Sequence, residues 1–165
     1  MLGGTAVRTI LTAVLLVLAL PSAAVAASPW QPFRAAGFDL PAGSRCPFEL
    51  KGEVVNDRER IRTVEPGRSE VKGLLVVRYT NVLTGESVVR NLNGDALIDQ
   101  RADGSIARLT LVHGHLSVGL GATDPGGPAF LVLHGRDFVV DFAPGGTRTI
   151  TFGAGSVENI CETLG

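Results

Sequence analysis

The sequence predicts an all-β protein, and three observations carry this prediction. Glycine and proline are frequent, at 21 and 9 of 165 residues, and they separate short segments rich in Val and Thr. Within those segments apolar and polar residues alternate with a period of two. Beyond the first twenty residues no long stretch is rich in Ala, Glu, Lys and Leu, which argues against a helical bundle. With 45% hydrophobic and 19% charged residues, the chain fits one globular domain.

The first 26 residues have the pattern of a secretory signal peptide. Arg8 is their only charged side chain, an apolar run covers residues 10–20, and Pro21 and small residues lead to Ala26. This run is about half the roughly 20 residues that a membrane-spanning helix needs, so no membrane anchor is expected in the mature form. We therefore expect a secreted, extracellular protein that begins at Ala27 or Ser28.

Two further parts should follow the signal peptide. Residues 27–45, rich in Pro, Ala and Gly, are expected to form an extended arm, and residues 46–165 a single β-barrel domain. Cys46 and Cys161 are the only cysteines, and thiols oxidise in the extracellular compartment, so the two should form a disulfide bond. That bond would join the first strand of the domain to the last.

Nine short segments have the character of strands. In the first of them Phe48, Leu50 and Val54 share one face, and Asp103-Gly104 is typical of a hairpin turn between two later segments. No helical segment separates the strands, which predicts antiparallel pairing. A sheet of about eight strands either closes or splits into a sandwich, and the short connections favour an up-and-down closed barrel. The segments are 47–55, 71–82, 86–92, 96–100, 105–112, 116–120, 130–142, 147–152 and 157–161.

The order of these features resembles a group of small secreted actinobacterial β-domain proteins of unknown function. The resemblance covers residues 46–161 and lies in "CPFELKGEVV", in "VVRYTNVLTGESVVRNLNGDALIDQRADGS" and in the closing cysteine. Its most specific part is "TGESVVRNLNG" followed by "RADGS", which is a signature of turns and strands. The resemblance implies a secreted β domain, and it implies no activity and no functional residues.

One strand suggests a ligand pocket. In the segment 130–142 the apolar row of even-numbered positions also contains His134 and Arg136, and Tyr79 has a matching inward position on its own strand. An unbroken strand would point these polar groups into the barrel as anchors for a small apolar or anionic ligand. The alternative is a bulge at Gly135 that turns Arg136 to solvent.

Metal binding is not predicted, although His113-Gly114-His115 has a spacing that puts two imidazoles on one face of a straight strand. The apolar parity changes at Gly114, so a bulge there should separate His113 from His115. The segment also resembles the H-x-H motif of cupins, but Gly119 stands where that motif requires Glu. No cofactor is expected.

Charge gives a weak indication of partners. Without its signal peptide the chain has 14 basic and 16 acidic residues, a net charge of about −2 that argues against nucleic-acid binding. Arg58, Arg60 and Arg62 nevertheless form a basic stripe that could bind an acidic polymer. The other interpretation is an edge strand protected by charge against aggregation.

Three functions stay open at this point. The leading one is a secreted, disulfide-closed barrel that binds a small molecule or a partner without performing chemistry. The second is a barrel enzyme of the isomerase or cyclase type, with the architecture of allene oxide cyclase or dirigent proteins. The third is an extracellular interaction or inhibitor protein that uses the loop at residues 122–128. The catalytic motifs sought in the chain are missing, so its enzymatic status is left open.

Overall fold

A computed structural model describes residues 27–165, and the predicted signal peptide lies outside the described residues. Strands dominate this part of the chain, which confirms the all-β class. The elements are β1 Gln31–Pro32, β2 Phe38–Leu40, β3 Leu50–Asp57, β4 Arg60–Glu65, β5 Arg68–Gly73, β6 Leu75–Asn81, β7 Ser87–Asn91, β8 Gly94–Gln100, β9 Ile106–Leu120, β10 Ala129–Arg136, β11 Phe138–Phe142, β12 Arg148–Thr151, β13 Ala154–Asn159 and α1 Ile160–Thr163.

The strands form two antiparallel sheets. Sheet A has the order β1-β4-β5-β8-β9-β10-β13, and its strand β11 pairs with β9 and β12. Sheet B has the order β2-β3-β6-β7. The 15-residue strand β9 pairs with β8 along one edge and with β11 and then β10 along the other. The arm thus supplies one strand to each sheet, because β1 pairs with β4 and β2 pairs with β3.

The predicted closed barrel is wrong, because neither sheet within residues 27–165 closes on itself. The chain leaves sheet A at Gly73, where a φ of 134° ends β5, and it enters sheet B at Leu75. Strand β5 therefore pairs directly with β8, while β6 and β7 pair with each other beside β3. The segment 71–82, predicted as one strand, is two strands that belong to different sheets.

A row of five glycines crosses sheet A. The strand registers place one glycine of each of five neighbouring strands side by side, in the order Gly73, Gly94, Gly114, Gly135 and Gly155. All of them except Gly94 have positive φ. A Cβ on Gly135 or Gly155 would also collide with a backbone carbonyl oxygen of the facing strand. Such a row of side-chain-free, left-handed positions lets a sheet bend sharply.

The inward face of β9 changes at this row, as the sequence predicts. Leu111 faces the core before the row and Leu116 faces it afterwards. Between them β9 contains one extra residue, because Asp95 pairs with His113 while the next residue of β8, Ala96, pairs with Leu111. The extra residue is a β-bulge, which exchanges the two faces of the strand.

Two apolar clusters hold the structure together, and β10 contributes to both. One face of β10 gives Phe130 and Val132 to the cluster between the sheets, where Tyr79 lies fully buried. The other face gives Ala129 and Leu133 to a second cluster. A strand covered on both faces has a nearly continuous apolar sequence, which explains the run 129–133. Burying each large side chain stabilises the fold by about 1.5–3 kcal/mol.

The predicted disulfide is present. Cys46, in the loop before β3, is bonded to Cys161 in the short helix α1 that follows β13. The bond therefore joins the loop between β2 and β3 of sheet B to the helix that follows the last strand of sheet A, rather than the two ends of one closed sheet. A second link runs from Asn81, whose buried Nδ2 donates a 2.9 Å hydrogen bond to the carbonyl oxygen of Leu164.

Within residues 27–165 no helix is long and apolar enough to cross a membrane.

Candidate functional site

Tyr79 lies in the core between the sheets and has no access to solvent. Its ring packs 5.3 Å from the ring of Phe130, and its hydroxyl has no hydrogen-bond partner among the described residues. Burial raises the pKa of Tyr79 to about 12. A ligand on the surface could not contact this hydroxyl without opening the core.

His134 and Arg136 lie on the surface, and they share no pocket with Tyr79. The strand does not run unbroken, because Asp137, with a φ of 62°, separates β10 from β11. The side chain of Arg136 is 71% exposed. Tyr79 is buried and Arg136 is exposed, so the two do not line one pocket with His134. The predicted bulge at Gly135 is not seen, because the register of β10 is regular through this residue.

The three histidines separate into a pair and a single residue. His113 Nε2 lies 3.2 Å from Asp95 Oδ2, whereas His115 stacks on His134 with ring centroids 4.3 Å apart. His113 thus contacts β8 and His115 contacts β10, but the bulge of β9 lies before His113 and not between the two histidines as predicted. Among the described residues no three His, Cys, Asp or Glu side chains form a metal-binding group.

The histidine pair lies at the rim of a hollow of about 300 Å³ between the two sheets. Val132 forms part of its lining, and a pair of hydrogen bonds of 2.7 and 2.6 Å joins Arg90 of β7 to Glu158 of β13. The hydrogen bonds of Arg90 lower the pKa of Glu158, although burial opposes this effect. Because Arg90 and Glu158 neutralise each other, neither charge is free for a ligand.

A second region, which the pocket hypothesis missed, surrounds Trp30 in the arm. Two adjoining surface hollows, of about 450 and 330 Å³, are both lined by Trp30, Arg58 and Arg60. Asp57 fixes the chain here, because its carboxylate accepts hydrogen bonds from the backbone N–H of Ala35 at 2.8 Å and of Glu59 at 2.9 Å. We call this region the Trp30 groove.

Cations are concentrated around the indole. The guanidinium carbon of Arg62 lies 4.6 Å and Lys72 Nζ 4.3 Å from the centre of the Trp30 ring. Arg62 is paired with Glu70 at 2.6 Å. In contrast, no carboxylate within residues 27–165 lies within 4.0 Å of the charged nitrogens of Arg58, Arg60 or Lys72. Three positive charges are thus available to a ligand.

One acidic group in the Trp30 groove titrates near neutrality. Burial raises the pKa of Glu59 to about 7, and the negative charge of Asp57 adds to the rise. The half-buried Glu59 lies between Arg58 and Arg60 in the sequence and lines the larger hollow. Its charge therefore changes in the pH range where the basic side chains stay protonated.

The loop at residues 122–128, expected as an interaction loop, is fixed by Asp124. This buried carboxylate accepts 2.7 Å hydrogen bonds from the backbone N–H groups of Gly121 and Arg148. Burial alone would raise the pKa of Asp124, but these hydrogen bonds outweigh it and lower the pKa. A hollow of about 270 Å³, lined mainly by apolar residues such as Phe152, lies beside the loop.

Part of the Trp30 groove could be seen in the sequence. The alternation of Arg58, Arg60 and Arg62 marked a basic stripe, but nothing local connected it to Trp30, which is 28 residues earlier than Arg58. Pairing of β1 with β4 brings them together, because Gln31 lies opposite Ile61. Comparison with known proteins gave no match to a family model, a curated protein or a solved structure.

Proposed function

We propose that this protein is a secreted binding module for an acidic polysaccharide, held in the Trp30 groove. The observation that carries the proposal is the position of the chain's single tryptophan between two hollows, beside three cations that lack a carboxylate partner. Guanidinium groups bind carboxylates and sulfates through paired hydrogen bonds. The indole of Trp30 holds cations at this place, because Arg62 and Lys72 lie over its ring.

The arrangement of the arm favours binding over edge protection as the role of the arginines. A charged edge strand protects a sheet whose edge is open. Here the edge of β4 is already covered, because β1 pairs with it and the backbone N–H groups of Ser28 and Phe33 donate to the carbonyls of Thr63 and Glu59. Arg58 and Arg60 are thus not needed to shield the edge.

Two further features fit this proposal. The disulfide bond is typical of proteins outside the reducing cytoplasm. Extracellular polysaccharides occur in the same compartment. The two hollows adjoin through residues that they share, which suits an extended ligand better than a compact one. The barrel enzyme is a weaker alternative, since it depended on a closed sheet and both sheets are open.

The test is binding of alginate, a carboxylate polysaccharide, measured by titration calorimetry at low salt and pH 6. Replacing Arg58 and Arg60 together by Ala should weaken binding by at least 10-fold, since one hydrogen bond to a charged group contributes about 1.5–3 kcal/mol. The matched control is Arg78→Ala, because Arg78 is an exposed arginine of sheet B with only a 3.9 Å contact to Glu53. Circular dichroism spectra check the fold of each variant.

Three outcomes would contradict the proposal. An equal loss of alginate affinity in Arg78→Ala would show that binding depends only on the net charge of the protein. Absence of binding to both alginate and dextran sulfate would remove the ligand class. Tight binding of neutral dextran, unaffected by replacing the two arginines, would show that charge recognition is not the basis of binding.

A further inference from the structure

We propose that His115 and His134 form a binding site for a divalent transition-metal ion, with Cu²⁺ as the preferred ion. This inference does not depend on the proposed polysaccharide binding, because the pair lies at the hollow between the sheets and shares no lining residue with the Trp30 groove. The sequence suggested a different pair, His113 and His115, but in the structure His113 lies against Asp95 of β8.

The strand register brings the two imidazoles together. His115 of β9 and His134 of β10 are directly opposite each other in the antiparallel ladder. Residues in such positions have their Cβ atoms about 4.5–5.5 Å apart. The rings stack with an angle of 20° between their planes and centroids 4.3 Å apart. Metal–nitrogen bonds of about 2.0–2.1 Å let one ion join nitrogens up to about 4 Å apart. To bind one ion, the rings would rotate out of their stacked arrangement until the nitrogen lone pairs, which lie in the ring planes, converge.

The partners of the Nδ1 atoms prepare the rings for coordination. His115 Nδ1 lies 3.3 Å from the backbone carbonyl oxygen of Asn93, which can only accept a hydrogen bond. The proton of a neutral His115 ring is therefore held on Nδ1, and the lone pair of Nε2 stays free. His134 Nδ1 lies 3.5 Å from Ser156 Oγ. Histidines that bind metals commonly have such a partner on the other ring nitrogen.

The surroundings leave room for other ligands of the ion. No third His, Cys, Asp or Glu of the described chain completes a metal group, so water or a small ligand would fill the remaining positions. The hollow of about 300 Å³ beside the rings can hold them. Imidazole nitrogens suit copper, nickel and zinc, and the general affinity order places Cu²⁺ first.

The test is titration of the full secreted chain with Cu²⁺ alone, followed by calorimetry and electron paramagnetic resonance. We expect one ion per chain and hyperfine coupling to two imidazole nitrogens. His115→Ala and His134→Ala should each weaken binding by at least about 10-fold, since even the loss of an outer partner of a ligand costs 10–100-fold. His113→Ala is the matched control, and it should bind as the wild type does.

The three variants decide the question, because the chain contains only three histidines. Wild-type affinity in both His115→Ala and His134→Ala would overturn the proposal. An equal loss in His113→Ala would also overturn it, because it would show that the H-x-H segment binds the ion. Zn²⁺ and Ni²⁺ titrations provide a second measurement, and binding of either ion that does not require His115 and His134 would contradict the assignment.

Discussion

Replacing Glu59 by Gln should stabilise the protein at alkaline pH and leave it unchanged at acidic pH. In the folded protein, burial and the neighbouring charge of Asp57 raise the pKa of Glu59 from its ordinary value of 4.5 to about 7. Between these two values the folded state binds more protons than the unfolded state. The stability that the protonated carboxyl contributes is therefore fully present below pH 4.5 and is lost as the pH rises through 7.

The size of this effect follows from the same two values. A difference of 2.5 between about 7 and 4.5 corresponds to about 3.4 kcal/mol, at 1.36 kcal/mol for each pKa unit. Glu59 is only half-buried, however, and solvent screening reduces the effect of exposed charges strongly. We therefore expect Glu59→Gln to be more stable than the wild type by about 1 kcal/mol at pH 8.

The assay is urea unfolding followed by circular dichroism between pH 4.5 and pH 8, with the wild type and the variant compared at each pH. The other carboxylates contribute equally to the unfolding free energies of both proteins, so their contribution cancels in the difference. Glu86→Gln is the control, because Glu86 is exposed and should give no difference that grows with pH. A difference for Glu59→Gln that stays constant within about 0.3 kcal/mol across this range would refute the reasoning.

Two further predictions concern the glycine row and the disulfide. Gly135→Ala should lower the unfolding free energy by more than about 2 kcal/mol, because the φ of 139° and the carbonyl oxygen of Ala154 exclude a Cβ. Gly145→Ala is the control and should have little effect on the unfolding free energy, because nothing lies within 4 Å of a Cβ at that position. Replacing Cys46 and Cys161 by Ser should lower the unfolding free energy by about 2–5 kcal/mol, since the bond closes a loop with a sequence separation of 115. Equal stability of the two glycine variants would contradict the prediction for Gly135. Two free thiols in the denatured, unreduced wild type would contradict the prediction for the disulfide.

Patterns with short range allowed correct predictions. The period of two in β3 and the turn residues before β7 predicted those strands, because each pattern depends only on neighbouring side chains. The change of parity around Gly114 predicted a bulge in β9 for the same reason, although the extra residue, Val112, lies two positions earlier. The helix α1 was not expected, since four residues are too few to show a helical period.

The candidate sites show where such reasoning ends. An unbroken strand would place Arg136 in the interior, but the left-handed backbone at Asp137 ends the strand and Arg136 is exposed. His134 did come to the rim of a hollow, but with His115 rather than with Tyr79. No pattern within one strand indicates which residue of another strand will lie opposite.

The sequence by itself determined the all-β class, the antiparallel pairing and the disulfide, since alternation, turn residues and an isolated pair of cysteines are properties of the chain alone. Only the tertiary structure decided that the strands form two open sheets. After the break at Gly73, β5 pairs with β8 and β6 pairs with β3, and no local pattern in the sequence selects these partners. The same holds for the Trp30 groove and the histidine pair. Both join residues far apart in the chain, and their contact depends on strand register, which is set by the packing of whole sheets rather than by any local segment.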